Sequence, residues 1–147
     1  MKCPFCRRDN TEVFNTRTTK FGTQIWRRRR CLDCQKAFTT YESANLGFLR
    51  VTGSTRRKTP YSRSQLYASL STAFLDIPHK PGTVDAITDT VEAKVLDLQQ
   101  SDVSTTKIAA IVLSTLKHFN TAAFIRYLST HTEVASSAQL KRELKKY

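Results

Sequence analysis

The sequence predicts an α+β chain built in two parts: a small unit of three short strands pinned by four cysteines, then a mainly α-helical domain that opens with a β-hairpin. Three observations carry this expectation. All four cysteines fall within the first 34 residues, as two C-x-x-C pairs. Short runs of β-formers, separated by turn residues, fill residues 11–61. Beyond Ser62, apolar residues recur at helical spacing. The 147 residues leave room for one ordinary domain or two small ones, and 39% apolar with 24% charged residues is the composition of a globular chain.

The cysteines are Cys3 and Cys6, then Cys31 and Cys34, with 24 residues between the pairs. Two disulfides would require an oxidising compartment. The N-terminal MKCPFC has no apolar run to serve as an export signal. The most apolar stretch, Ile108 to Leu116, is far short of the roughly 20 residues that span a bilayer. A soluble, cytoplasmic chain that makes no membrane contact is therefore expected. A thioredoxin-like redox site needs one C-x-x-C beside a βαβ pattern, which is absent. Tetrahedral zinc fits best, because each C-x-x-C bend turns two thiolates to one side and two bends complete a closed site. A closed shell of four thiolates leaves no position for water or substrate, so one structural zinc per chain is expected, standing in for a core that about 45 residues are too few to build.

The strands of this zinc ribbon are read as Thr11–Arg17, Thr23–Arg30 after a turn at Phe21-Gly22, and Ala37–Tyr41. The second strand ends in Arg27, Arg28, Arg29 and Arg30, directly before Cys31. Alternation along a strand sends two of these arginines to each face. Arg7, Arg8, Arg17, Lys20 and Lys36 share the unit, interleaved with Trp26, Phe38 and Tyr41; Trp26 and Phe38 are expected in the ribbon core, while the Tyr41 hydroxyl suits a phosphate. Arginine forms bidentate contacts to phosphate and guanine, so nucleic-acid binding is expected. DNA and RNA remain open at this point, as does protein docking, since zinc ribbons serve all three.

The net charge of +12 is unevenly placed. Residues 1–45 carry +6, 46–83 carry +5, 84–132 carry −1 and 133–147 carry +2. Four zinc-bound thiolates lower the first value to +4, so the ribbon stays basic. After a break at Glu42–Gly47, Leu49–Val51 and Lys58–Tyr61 read as hairpin strands around Thr52-Gly53-Ser54-Thr55. Ser62 caps a helix carrying Leu66, Leu70, Ala73 and Phe74, ended by Pro78 and Pro81-Gly82. Thr83 opens a helix with Val84, Ile87, Val91, Val95 and Leu98; Ser104 caps one with Ile108, Ile111, Val112, Leu116 and Phe119; Thr121 caps one with Phe124, Ile125 and Leu128. Residues 133–147 form a basic tail or helix. The division expected is thus 1–45, 46–132 and 133–147.

No nucleophile–base pair is suggested by spacing, and His79, His118 and His131 have no evident partner. Neither common phosphate-loop motif is present. The chain is not expected to be an enzyme. Arg50, Arg56, Arg57 and Lys58 around the hairpin turn suit a triphosphate or an extension of the nucleic-acid surface, and the motif alone does not choose.

CPFC at Cys3–Cys6, RRRRCLDC at Arg27–Cys34 and FTTYE at Phe38–Glu42 resemble the NrdR family, bacterial repressors of ribonucleotide reductase genes. PYSRSQL at Pro60–Leu66, DVSTTKIAAIVLSTLK at Asp102–Lys117 and AAFIRYLS at Ala122–Ser129 extend the resemblance to nearly the whole chain. It implies an N-terminal zinc ribbon and an ATP-cone-like nucleotide-sensing domain. The ribbon would read operator boxes in double-stranded DNA; the cone would bind ATP or dATP and set the homo-oligomeric state. Mapped onto this chain, Cys3, Cys6, Cys31 and Cys34 hold zinc, and Arg27–Arg30 with Arg17 and Tyr41 contact DNA. Arg50, Val51, Arg56, Arg57 and Lys58 are the residues placed for nucleotide. The expected location is the bacterial cytoplasm, nucleoid-associated when bound. The chain departs from the family pattern where V-V-K-R-D-G becomes the longer LRVTGSTRRK, where the lysine of P-F-x-x-x-K-L is Gln65, and where THTEVAS replaces V-Y-R-S-F-E-D. The alternative is a zinc-ribbon adaptor that docks RNA or protein and has lost nucleotide control.

Overall fold

The computed structural model describes residues 1–18, 22, 24–131 and 136–146. The expectations for Lys20, Phe21 and Thr23, for residue 132 and for residues 133–135 and 147 of the tail, lie outside them. Internal packing divides the chain into two units, Met1–Asn45 and the residues from Leu46 on.

The first unit is one antiparallel sheet of β1 (Thr11–Thr18), β2 (Gln24–Cys31) and β3 (Ala37–Ser43), with β2 in the middle. The strands form where β-branched, aromatic and arginine residues run without a helix-period stripe. The order follows from two antiparallel connections, and β2 threads its four arginines between both neighbours. Among the described residues of this unit only Cys3 and Cys31 are buried. Trp26 and Phe38, expected as core, are half-buried, because a single layer has nothing to cover its second side.

Among the described residues the second unit pairs a small sheet with five helices. The hairpin strands are β4 (Arg50–Thr52) and β5 (Lys58–Pro60), preceded by a 3₁₀ turn at Leu46–Phe48. A third strand, β6 (Asp102–Ser104), lies parallel to β4 and pairs Val103 with Val51. The sequence predicts no strand there: three residues are too few to show alternation, and Ser104 reads as a helix cap. The turn is also longer than expected. It closes through Gly53 N–H to Arg57 C=O at 3.3 Å, and Arg56, not a glycine, takes the left-handed conformation (φ 59°).

Helices α1 (Arg63–Ala73), α2 (Thr83–Leu96), α3 (Thr105–Phe119), α4 (Thr121–His131) and α5 (Ser137–Lys146) follow. Ser62 and Ser104 cap α1 and α3, their hydroxyls accepting from Gln65 and Lys107 N–H. For α4 the cap is Asn120, whose Oδ1 accepts from Ala123 N–H at 2.9 Å, while Thr121 is already helical. Helix α1 ends before either proline, through Phe74 and a left-handed Asp76. The core joins Leu66, Leu70 and Phe74 of α1 and its cap to Val84, Ile87, Val91 and Val95 of α2, Val112, Leu113 and Leu116 of α3, and Phe124, Tyr127 and Leu128 of α4. Phe119 and Ile125, expected in the stripes, are 55% and 46% exposed. Leu98 lies beyond the end of α2 and packs partly buried against the core. Helix α5 belongs to the same body: Leu140 and Leu144 pack on the core, and Lys117 of α3 donates to the Leu144 carbonyl. Among the described residues no helix is long and apolar enough to cross a membrane.

Candidate metal centre, nucleic-acid face and cavity

The four thiols converge. Their Sγ atoms all lie within 4.8 Å of one another, with Cys3–Cys34 at 3.7 Å and Cys6–Cys31 at 3.5 Å. A tetrahedral ion about 2.3 Å from each sulfur sets neighbouring sulfurs about 3.8 Å apart, so the cluster has the geometry of a zinc site. The two knuckles are built alike. Cys3 N–H donates to Arg8 C=O at 2.8 Å and Cys31 N–H to Lys36 C=O at 3.0 Å. In each, the residue after the second cysteine is left-handed: Arg7 (φ 64°) and Gln35 (φ 59°). Phe5 N–H points at Cys3 Sγ, 3.4 Å away.

Charge crowding says the same. Desolvation pushes the Cys3 thiol up, but the N–H groups of Cys6 and Phe5 and the adjoining thiols bring it down to about 7. At Cys6 the Arg8 N–H lowers the thiol, yet desolvation and neighbours Cys31, Cys34 and Cys3 push it up to about 12. One proton leaves this group of thiols easily and another hardly at all. Four thiolates so close together require a cation among them.

The strand register sorts the arginines. Trp26 faces Arg17 on β1 and Tyr41 on β3, Arg28 faces Asn15 and Thr39, and Arg30 faces Glu12 and Ala37. Residues directly opposite share a face, so Arg17, Arg28, Arg30, Trp26 and Tyr41 stand together. Arg27 and Arg29 stand on the reverse side with Ile25, Phe38 and Glu42. There Arg27 is spent on Glu42: its Nη2 donates to Oε2 at 3.0 Å, and its Nε lies 3.0 Å from Oε1. Arg29 Nε donates to Thr40 at 3.2 Å. On the first face Arg28 is oriented by donation to Thr39 at 3.0 Å, while Arg17 and Arg30 are exposed beside aromatic rings. The six residues read from the sequence as one DNA surface thus divide into four on one face and two on the other.

In the second unit a cavity of ≈ 220 Å³ opens between the hairpin and the helices. Val51 and Tyr61 line it from the sheet side, Ser62, Gln65 and Ser69 from α1, Thr105 and Ile108 from α3, and Tyr127 and His131 from α4. Two helix N-termini, those of α1 and α3, therefore border one cavity, an arrangement suited to anions. The Tyr127 and His131 rings are stacked at 3.9 Å and 8°, and His131 Nδ1 lies 3.0 Å from the Tyr127 carbonyl oxygen. Burial pushes the Tyr127 phenol up despite its hydrogen bond with Ser69. Desolvation and the Glu92 carboxylate do the same for Tyr61, so both tyrosines stay neutral.

Of the residues read from the sequence as nucleotide contacts, only Val51 lines this cavity. Arg50 is exposed on β4, Arg56 and Arg57 form the turn, and Lys58 pairs with Asp102 at 3.0 Å. Arg63, one residue past the cap of α1, is held by α2: Asp89 at 2.7 Å, Asp85 at 3.8 Å, and Glu92, which also accepts from Tyr61 Oη at 2.9 Å. Partial burial works against its charge, but Asp89 and Glu92 outweigh that and hold the guanidinium charged. Tyr61, Gln65, Thr105, Tyr127 and His131 line the cavity without any motif in the sequence that marks them. For the last pair spacing alone is a signal, since His131 and Tyr127 are four apart on one helix and so adjacent.

Residues 1–42 match the model for the NrdR-like transcriptional repressor N-terminal domain, and residues 49–146 match the ATP cone domain. A protein of Lachnoclostridium phytofermentans named transcriptional repressor NrdR is 34% identical over 146 residues, 99% of this chain and 95% of its own. Proteins of the same name from Paracidovorax citrulli and Bordetella petrii are each 37% identical over 131 residues, 89% of this chain, covering 88% and 83% of theirs.

Proposed function

This chain belongs to the NrdR family of transcriptional repressors, non-enzymatic regulators built of a zinc ribbon and an ATP cone, and on that premise we propose that it represses ribonucleotide reductase genes under the control of ATP and dATP. The observation that carries the reading is the pairing, in one chain, of an arginine-bearing ribbon face with a separate cavity bordered by two helix N-termini and an aromatic pair.

In this reading Cys3, Cys6, Cys31 and Cys34 hold one zinc ion, whose chemistry is purely structural. Arg17, Arg28, Arg30 and Tyr41 meet operator DNA, the arginines through phosphate or guanine and the tyrosine through phosphate. Arg27 and Arg29 support the sheet from behind. The Tyr127–His131 pair offers a flat wall to a purine, and the N-termini of α1 and α3 face its phosphates. The cations Arg50, Arg56 and Arg57 at the hairpin supply positive charge that the cavity wall lacks, because Gln65 is neutral and Arg63 is committed to α2.

Regulation follows from linkage. A nucleotide that binds one oligomer better than another shifts the population by that difference in affinity. An oligomer that sets two ribbons at operator spacing gains affinity through effective concentration alone. Light scattering on the zinc-loaded protein, free and with ATP or dATP, tests this together with titration of a reductase-gene promoter duplex against random duplex. A nucleotide-dependent mass and a preference for the promoter are expected. One mass in all three states, with no preference, overturns the proposal.

A further inference from the structure

We infer that the arginine-bearing face of the ribbon is also a stacking platform for the unpaired bases of single-stranded nucleic acid. The inference shares with the proposed function the premise that this face meets nucleic acid. It rests, however, on the exposed rings as stacking surfaces, and Phe14 has no part in the proposed duplex contact.

Strand β1 carries a bulge. Val13 pairs with Arg29 and Asn15 with Arg28, which leaves Phe14 as the extra residue. Bulges re-aim a side chain, and here the phenyl ring is brought 5.1 Å from the guanidinium carbon of Arg30 while remaining 48% exposed. At the far end of the same face, Tyr41 is 61% exposed beside its partner Trp26, whose ring has the Arg17 guanidinium carbon at 5.5 Å. Arg28 stands between these two ends. The face therefore alternates ring and cation along the Trp26–Arg30 segment, about 14 Å of strand.

A one-layer sheet gains nothing in stability from leaving these rings in water, and a bulge that turns a phenylalanine outward makes the arrangement specific. Duplex DNA makes little use of it, because paired bases hide their faces in their own stack. Unpaired bases present those faces, and sequence-tolerant single-strand binders combine a basic track with aromatic rings. Each stacked base is worth roughly 5- to 150-fold in affinity.

Trp26 is the only tryptophan in the chain, so its fluorescence reports the face directly. The experiment titrates the full-length, zinc-loaded protein with a short thymidine DNA homopolymer and, separately, a uridine RNA homopolymer. Saturable quenching by either supports the platform, and the tighter of the two identifies the ligand. Phe14→Leu and Tyr41→Leu should each weaken binding about tenfold with unchanged zinc content and salt dependence, whereas Tyr41→Phe, which keeps the ring, should lose less than Tyr41→Leu. Arg30→Ala should flatten the salt dependence instead. Phe48→Leu, an exposed aromatic of the other unit (60%), should change nothing. No quenching by either strand overturns the inference, as does unchanged affinity in both leucine variants. Promoter duplex titrated against the same preparations keeps the two readings apart: lost duplex preference with retained single-strand binding removes only the repressor reading, and the converse removes only the platform.

Discussion

The two units are ordered by different forces. In the ribbon only Cys3 and Cys31 are buried among the described residues, so its three strands are held by ladder hydrogen bonds and the thiol cluster. In the second unit 18 buried residues among those described form one continuous core. A unit organised by a metal leaves both sides of its sheet open and spends its side chains on the surface. A unit organised by a core must bury its apolar stripes, and its cavity is the gap left between helices.

The sharpest way to break this contrast is to remove the metal. Binding energy of structural zinc is folding energy, about 10–16 kcal/mol in zinc-finger peptides. Chelation, or Cys31→Ser, should abolish amide protection across β1, β2 and β3 while α2 and α3 stay protected. Hydrogen exchange by mass spectrometry checks this, and equal loss in both units would erase the distinction.

The reverse experiment acts on the core. Leu116 is fully buried among the helices, and Leu116→Ala should destabilise the second unit by about 2–5 kcal/mol. A denaturant melt should show that loss with the zinc content of the ribbon unchanged.

A smaller effect is expected at Arg63, which ties the start of α1 to three carboxylates of α2. Its side chain is 41% exposed, so solvent screens part of the interaction. Arg63→Ala should cost about 1–2 kcal/mol, mostly from leaving Glu92 half-buried with Tyr61 as its remaining partner. Chemical denaturation measures it, and Arg63→Lys should recover only part, because one ammonium cannot reach the separate carboxylates that the guanidinium fork bridges. Smallest is Ser104→Ala, which removes the cap of α3 and should cost about 1 kcal/mol, read in the same melt.

The contrast also explains what was legible in the sequence. The ribbon is nearly all local information: cysteine spacing marks the metal, and period-2 alternation divides the arginines two to a face. Which face keeps its arginines clear of a carboxylate was not legible, because that depends on which partner strand brings Glu42 to Arg27 and Tyr41 to Trp26. The helical stripes and the caps Ser62 and Ser104 were readable for the same local reasons. Strand β6 was not, since three residues joining the sheet in parallel carry no periodic signal. Nor was the cavity, whose wall gathers residues from β4, α1, α3 and α4 that are far apart in the sequence. The basic cluster at the hairpin drew attention to charge, while the structure shows Lys58 paired and the wall formed by tyrosines, Gln65 and His131. Composition locates charge along the chain; only packing tells which charges remain free.

The proposed DNA contact belongs to one face of the ribbon and not to the arginine run as a whole. It is tested most directly by measuring promoter-duplex affinity across a salt series for two double variants, Arg28→Ala with Arg30→Ala and Arg27→Ala with Arg29→Ala. Each phosphate contact removed lowers the log–log salt slope by about 1. The first pair should lose affinity and flatten the slope by up to about 2, while the second, with zinc retained, should keep the parental slope. Equal flattening in both pairs would give the contact to the whole run, and flattening only in the second would give it to the reverse face; either result overturns the assignment.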